Sequence, residues 1–265
     1  MVLSNSKVLI RGGGDLASAV ACRLAESHFR VAMTETARPE AVRRKVAFCE
    51  AVYNQVQNIE GKTCRLVTNL PAILDCWSQG ELALIIDPAA NIKDALQPDV
   101  IVDAIMAKRN IGTSLHDAPL VIGLGIGFTA GKDVHAIIET NRGHNLGRVI
   151  RDGMAEPDTG HPGIIAGYGK ERVFRAPRDG VFHTTKNIGD IVAAGDVVAY
   201  VEGEPITAVI PGVIRGLLRD GTLVTKGLKA GDIDPRANLD YCSSISDKGR
   251  AIAGGVLEAI LAHYG

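Results

Sequence analysis

Aromatic residues are scarce: Phe, Tyr and Trp make up 4% of the 265 positions. Single-stranded nucleic acid is held on stacking platforms built from such rings, so nucleic acid is set aside as a partner. No excess of one charge exists either. The chain has 29 basic and 30 acidic residues, a formal charge of −1, which implies neither a polyanion nor an acidic membrane as partner. No apolar run approaches the roughly 20 residues that span a bilayer, and no long apolar segment of the secretory kind stands at the N-terminus. The five cysteines, Cys22, Cys49, Cys64, Cys76 and Cys242, are odd in number, scattered, and form no C-x-x-C pair. The expectation is a cytoplasmic protein with no disulfide framework and no metal ligands.

What the chain does have is a dense stretch from Lys7 to Glu35. Lys7-Val8-Leu9-Ile10-Arg11 is an apolar run. It meets Gly12-Gly13-Gly14-Asp15-Leu16-Ala17, and a helical pattern follows with Leu16, Val20 and Leu24 on one face. A second apolar run, Val31 to Thr34, ends in Glu35. This is the order of a βαβ nucleotide-binding unit. Gly12 permits the tight turn, Gly14 lets backbone approach a pyrophosphate, and Ala17 in the third glycine position keeps the helix near the sheet. The free N–H groups at the helix start would face the anion. Glu35 stands roughly twenty residues on, where a carboxylate accepts from a ribose 2′-OH. Asp15 argues the other way: its side chain is able to cap the helix itself and would repel a phosphate, which leaves open an empty or altered site.

Beyond Glu35, Thr36 to Glu40 reads as a loop. Arg43-Arg44-Lys45 leads into Val46, Phe48, Ala51 and Val52, an expected helix whose basic start is read as a solvated face. Arg38 and Arg43, just past the ribose-reading strand, are candidates to receive a phosphate. Leu66-Val67 reads as a short strand and Leu70 to Trp77 as a helix. The runs Leu82 to Asp87 and Asp99 to Asp103 read as strands buried on both faces. Strands alternating with short helices give a doubly wound parallel sheet, with Asp87 and Asp103 at the carboxyl ends where ligands sit, or else capping the turns that follow.

From Ala104 the character changes. Leu120 to Phe128 is a strand running into spaced glycines, Gly123, Gly125 and Gly127. Thr129-Ala130-Gly131-Lys132 is a turn, and His135 to Thr140 a returning strand. Lys108, Arg109, Lys132, Glu139, Arg142 and His144 crowd the rim of this strand pair, either as surface charge or as an anion or cofactor site. If the pair extends the sheet, glycine amides and basic side chains share one cleft, with Arg142 the best anchor because its planar fork takes a phosphate bidentately.

An internal repeat follows. Ala176-Pro177-Arg178-Asp179-Gly180-Val181-Phe182 aligns with Ala208 to Ile214 at a shift of 32 (176 onto 208). At the same shift Gly189, Val192 and Gly195 meet Gly221, Val224 and Gly227. Two such halves suggest the barrel-sandwich of biotinyl and lipoyl carriers. A carrier needs a lysine at the tip joining the halves, and no lysine occurs from Asn187 to Thr225, so a docking or recognition role is expected. The tail, with Ala251, Ile252, Val256, Leu257, Ile260 and Leu261, reads as an amphipathic helix. Gly254-Gly255 inside it cost about 1 kcal/mol each in helix propensity, which points to close approach by another backbone or a ligand.

The expected architecture is therefore α/β: a Rossmann-like doubly wound parallel sheet over 1–172, a barrel-sandwich-like module over 173–236, and a C-terminal helix over 237–265 that packs on the body. The candidate cofactor-binding residues are Gly12, Gly13, Gly14, Asp15, Ala17, Glu35, Arg38, Asp103, Lys108, Gly125, Gly127, Lys132, Glu139, Arg142 and His144. No catalytic residue stands out.

Several segments together resemble one family. They are the Gly12–Ala17 loop, Arg43-Arg44 with Val46-Ala47-Phe48 and Glu50-Ala51-Val52-Tyr53, Val102-Asp103-Ala104 with Ala107-Lys108, and Ile122 to Gly125 with Gly127-Phe128 and Ala130-Gly131. Glu139-Thr140 with Arg142-Gly143-His144, Asp234-Pro235-Arg236, and Ile245 to Lys248 complete the set. The chain resembles the YqeB-like accessory proteins of selenium-dependent molybdenum hydroxylases, distant relatives of XdhC. Ile126 departs from the pattern, where a proline is usual. The resemblance implies maturation of a molybdenum hydroxylase apoenzyme, with a molybdopterin-type nucleotide handled before or during insertion. It supplies no reaction. Two alternatives stand beside it: an NAD(P)-dependent oxidoreductase, and a non-enzymatic scaffold with a vestigial nucleotide site. Homo-oligomerisation is left open.

Overall fold

The computed structural model describes residues 5–157, 160 and 162–265. The chain forms two compact units. The first takes in Met1–Pro39, Ala47–Asp158 and Ile245–Gly265, and the second Glu40–Val46 and Thr159–Ser244.

The first unit is a nine-stranded mixed sheet. Its strands are β1 (Lys7–Arg11), β2 (Arg30–Glu35), β3 (Val56–Ile59), β4 (Lys62–Val67), β5 (Leu82–Ile86), β6 (Val100–Asp103), β7 (Leu120–Leu124), β8 (Ala136–Ile138) and β9 (Val149–Ile150). The order is β3-β4-β5-β2-β1-β6-β7-β8-β9. Seven run parallel; β3 and β9, at the two edges, are antiparallel to their neighbours. The helices are α1 (Asp15–Glu26), α2 (Ala51–Asn54), α3 (Leu70–Ser78) and α4 (Lys93–Leu96). Both sheet faces are covered, so central strands read as continuous apolar runs. Leu9, Ala32, Ile101, Val121 and Ile137 form one core with Ile73 of α3 and Phe128. Asn69 caps α3 by accepting from the Ala72 amide.

In the second unit, strands are β10 (Val173–Arg175), β11 (Gly180–His183), β12 (Ile191–Val192), β13 (Val197–Val201), β14 (Glu204–Thr207), β15 (Gly212–Leu217), β16 (Thr222–Val224) and β17 (Lys229–Asp234), with a short helix α5 (Asp240–Ser243). They make two four-stranded antiparallel sheets, β10-β17-β15-β12 and β14-β13-β11-β16. Their core includes Phe182, Val201, Val213, Ile214 and Leu217. The last helix, α6 (Asp247–Tyr264), belongs to the first unit and packs on α1. Ser246 caps it by accepting from the Gly249 amide.

This pairing overturns the expected Rossmann-like doubly wound sheet with a barrel-sandwich module. A doubly wound sheet needs a helix in each crossover. Here β6 to β7 holds only a 3-10 turn (Leu115–Asp117), β7 to β8 holds no helix, and hairpins close both edges. In the second unit half of each sheet comes from outside the aligned repeat, β10 and β17 in one and β13 and β14 in the other. Two local expectations fail as well. The helix expected from Arg43 to Val52 is two 3-10 turns (Arg44–Val46, Phe48–Glu50) and the four residues of α2. The returning strand after Gly127 is parallel to β7, not antiparallel. Among the described residues no helix is long and apolar enough to cross a membrane.

Candidate functional site

In the first unit, parallel strands bring their carboxyl ends to one sheet edge, where ligands of such sheets sit. Glu35 ends β2, Gly12 to Gly14 follow β1, Asp103 ends β6, Gly125 follows β7 and Glu139 follows β8. Their geometry is more occupied than the spacing suggests.

The glycine turn is locked on three sides. Gly12 lies at φ +98°, and its amide donates to Thr34 O at 2.8 Å. A Cβ there would meet Ala104 O at 3.1 Å. Gly13 faces the 3-10 turn at Cys49. The Cys49 amide donates to Gly13 O at 2.8 Å, the Ser18 hydroxyl donates to it at 3.2 Å, and a Gly13 Cβ would touch Cys49 at 3.0 Å. Ser18 in turn accepts from the Phe48 amide at 2.7 Å. Glu35 closes the last side: Oε2 accepts from the Gly13 amide at 2.8 Å and Oε1 from the Thr36 amide at 2.7 Å. Gly14 alone is open. It is the residue before α1, extended at φ −66° and ψ −178°, and a Cβ on it would meet nothing within 4 Å. Asp15 lies in the first turn of α1, whose N-cap, Gly14, has no side chain to cap with. Ala17 is fully buried, as helix-to-sheet packing requires.

Carboxylates dominate the local field. Burial pushes the Cys49 thiol far up, and Glu35, Glu50 and Asp15 add to the shift in that order. A thiol raised in this way is a poor source of thiolate, the nucleophilic form.

Asp103 is buried and fully engaged. It accepts from the Thr113 hydroxyl and the Ile105 amide, and pairs with Arg11 at 3.4 Å. Arg11 also donates to Thr113. Arg11 and Asp103 stand opposite each other in the β1–β6 register. Asp87, by contrast, takes the capping role, accepting from the Ile92 amide at 2.8 Å ahead of α4.

Around β8 the residues are structural in their bonding. Gly125 (φ +70°) and Gly127 (φ +105°) sit where the chain crosses itself; a Cβ would come within 2.4 Å of Thr140 Oγ1 and 3.0 Å of the Arg109 backbone respectively. Glu139 is buried and accepts from the Asn141 and Glu156 amides, both at 2.7 Å. Together with Asn145, Arg148, Arg151, Met154 and Glu156 it lines a groove of about 420 Å³. Arg142 sets its fork on Asp247, with two bonds of 2.7 Å. Arg38, Lys108, Lys132 and His144 are exposed, and Lys132 lies in a tight turn on Thr129 O that leads to the amino end of β8, away from the rim. Arg43 belongs to the second unit, where its Nη2 donates to Tyr241 O and Ser244 O; Arg44 Nε donates to Leu217 O at 2.7 Å. Neither is the solvated face expected of it.

The structure therefore joins Gly13 to Glu35 and places Gly12, Asp103, Gly125 and Glu139 along one edge. Reasoning from sequence missed Arg11, Ser18, Cys49 and Thr113. Arg11 had a legible signal, a charge closing an apolar strand ahead of glycines. Among the described residues no group of three or more His, Cys, Asp or Glu is arranged to hold a metal ion.

No family model matches the chain. Over 254 residues, 96% of its length, the chain is 48% identical to the Escherichia coli (strain K12) "Uncharacterized protein YqeB", and the match takes in 47% of that protein. The chain is a homologue of this relative and spans about half its length. Solved structures with some likeness include a product-bound ectoine utilization protein EutE (DoeB) from Ruegeria pomeroyi, 13% identical, covering 87% of this chain and 85% of that one at a TM-score of 0.26. A succinylglutamate desuccinylase/aspartoacylase from Rhodobacter sphaeroides is 14% identical with the same coverage and a TM-score of 0.27. Superposition that poor supports nothing about this chain's fold or chemistry.

Proposed function

We propose, from the homology to YqeB over nearly the whole chain and the joint motif set it shares with YqeB-like proteins, that this is an accessory protein in the maturation of a selenium-dependent molybdenum hydroxylase, distantly related to XdhC. Its contribution is to bind rather than to turn over: it holds a nucleotide or molybdopterin-type ligand for the hydroxylase apoenzyme. The observation that carries the binding reading is Gly14, open space directly ahead of the amides of a 12-residue helix at the carboxyl edge of parallel strands.

Native mass spectrometry of the chain purified from cells that make molybdenum cofactor tests this. A bound pterin or nucleotide mass is expected in wild type and absent in Gly14→Val, with both folded. Wild type emerging without any adduct would sink the reading.

One observation favours a second reading. Glu35 already occupies the Gly13 amide that a pyrophosphate would use. In that reading the loop is vestigial and the chain is a scaffold. Absence of a thermal shift with NAD, NADP, CTP or molybdopterin nucleotides supports it.

A further inference from the structure

In the first unit, the amino ends of β6, β7 and β8 meet the last turn of α6 at one histidine. His135 directly precedes β8, whose ladder with β7 begins at Ile122 and Ala136. Its own amide donates to Val121 O at 2.8 Å, and its ring takes the return bond: the Val121 amide donates to His135 Nδ1 at 3.0 Å. Val121 is fully buried, so that amide has no water to turn to. Only a ring without a proton on Nδ1 can accept from it.

The same ring touches α6. His135 and His263 stand edge to face with centroids 6.3 Å apart, and His263 stands edge to face with Tyr264 at 4.6 Å. The Tyr264 hydroxyl donates to Asp99 O at 2.8 Å, an oxygen that also accepts from the Leu120 amide at 3.2 Å. Leu120 adjoins Val121, so the contacts close into a ring. Earlier turns of α6 are held by buried Ile252, Val256 and Ile260, whereas Leu261 to His263 are exposed. The last turn therefore depends on His135, His263 and Tyr264. Titratable groups on the surrounding elements are His263 and Tyr264 of α6, and His116 and Asp117 of the 3-10 turn ahead of β7. Asp99 precedes β6 and Asp133 precedes His135. The three carboxylates are committed: Asp117 pairs with Lys93 at 2.5 Å, Asp99 accepts from the Lys7 amide and Asp133 from the Thr129 amide, both at 2.8 Å. Burial, and after it the charges of His263 and His116, hold the His135 pKa below the usual histidine value.

We infer that His135 is an acid-released latch: neutral, its ring holds the last turn of α6 against the sheet, and protonated, it lets that turn go. Protonation sets an N–H on Nδ1 against the Val121 N–H, donor against donor. The bond is lost, and the ring must swing away to relieve the clash and the buried, unpaired amide. A ring that swings away leaves its contact with His263. A histidine whose folded pKa lies below its unfolded one binds fewer protons when folded. The stability it lends is whole above about pH 6.5 and drains away as pH falls toward the folded value. The latch lies at the amino ends of the strands, so it is independent of the Gly14 reading, which concerns the carboxyl edge.

Two readouts on the full chain between about pH 8 and about pH 5 test it. One is hydrogen exchange of residues 259–265, corrected for the intrinsic pH dependence of exchange. The other is NMR of the His135 ring and the Val121 amide. In wild type, protection of the last turn should fall about tenfold on acidification, the loss of one hydrogen bond, and the Val121 amide shift should follow the His135 titration. His135→Asn sets a non-titrating acceptor near the place of Nδ1, so protection in that variant should not change with pH. Protection that stays flat in wild type, or a Val121 shift that ignores the His135 titration, overturns the proposal. A pH step that survives in His135→Asn also overturns it and assigns the titration to other groups. If the asparagine variant does not fold, the Val121 shift in wild type still decides.

Discussion

Glu35 Oε2 stands 2.8 Å from the Gly13 amide nitrogen, so the acid that ends β2 holds the turn that follows β1. Where a ribose or pyrophosphate would come, the protein supplies its own carboxylate. Glu35→Gln keeps an acceptor for the amide and removes the charge. Its expected cost is about 1 kcal/mol of stability, the difference between a charged and a neutral acceptor. Affinity for CTP or NADP at Gly14 should rise severalfold. Denaturant melts and titrations of the two proteins measure both effects, and unchanged affinity would show that Glu35 is no obstacle.

Acid should open the second unit through Asp232. Burial alone would raise its carboxyl, but the Lys229 ammonium, by charge and hydrogen bond, and the Arg172 and Arg215 guanidiniums outweigh it and hold it below the usual range. Asp234 follows the same pattern, with Arg236 as the main offset to burial. An acid whose folded pKa lies below its unfolded one binds fewer protons when folded. Its stabilisation is complete above about pH 4 and drains away as pH falls through the folded value. Asp232→Asn should therefore lose about 3 kcal/mol near neutrality and flatten the acid limb. Urea melts from about pH 7 down to about pH 3 read both changes. An acid limb as steep as that of wild type would assign the titration to other groups.

Strand segments such as Leu82 to Ile86 and Val100 to Asp103 were legible because burial on both faces leaves a continuous apolar run. Pairing direction was not. β3 turns back at Glu60 and Gly61, both at positive φ, and nothing in so short and half-exposed a strand announces it. The second failure concerns partners distant in sequence. Arg44 reads locally as a solvated charge, and its carbonyl partner is Leu217. Arg11 reads as the end of a strand, and its partners are Asp103 and Thr113. Positions of glycines carried more: the expectation that Gly254-Gly255 admits a close neighbour holds for one of the two.

The fork of Arg142 is engaged on Asp247, the first residue of α6. Both side chains are well exposed, 34% and 72%, so the pair contributes about 0–1 kcal/mol. Arg142→Lys should leave the melting temperature nearly unchanged. If the fork anchors a ligand phosphate, that phosphate competes with Asp247, and Asp247→Asn should raise affinity while Arg142→Lys lowers it. Equal affinity in all three proteins would place the ligand away from Arg142.

Gly255 and Gly254 are adjacent in α6 and should respond in opposite directions. A Cβ on Gly255 would lie 2.1 Å from Gly147 O and 2.9 Å from Ile138. Gly147 is itself at φ +83°, and a Cβ there would lie 2.7 Å from Ala251 O. Helix and loop thus meet backbone to backbone, and neither side can yield as a long side chain would. Gly255→Ala should cost about 1–3 kcal/mol by overpacking. Nothing lies within 4 Å of a Cβ on Gly254. There the only consequences are a better helix former and a less flexible unfolded chain, so Gly254→Ala should stabilise by about 0.5–1 kcal/mol. Thermal or urea melts of the two single variants decide the matter: no loss of stability in Gly255→Ala would mean that α6 does not rest on the loop at Gly147, and a loss in Gly254→Ala would mean that a neighbour crowds that position too.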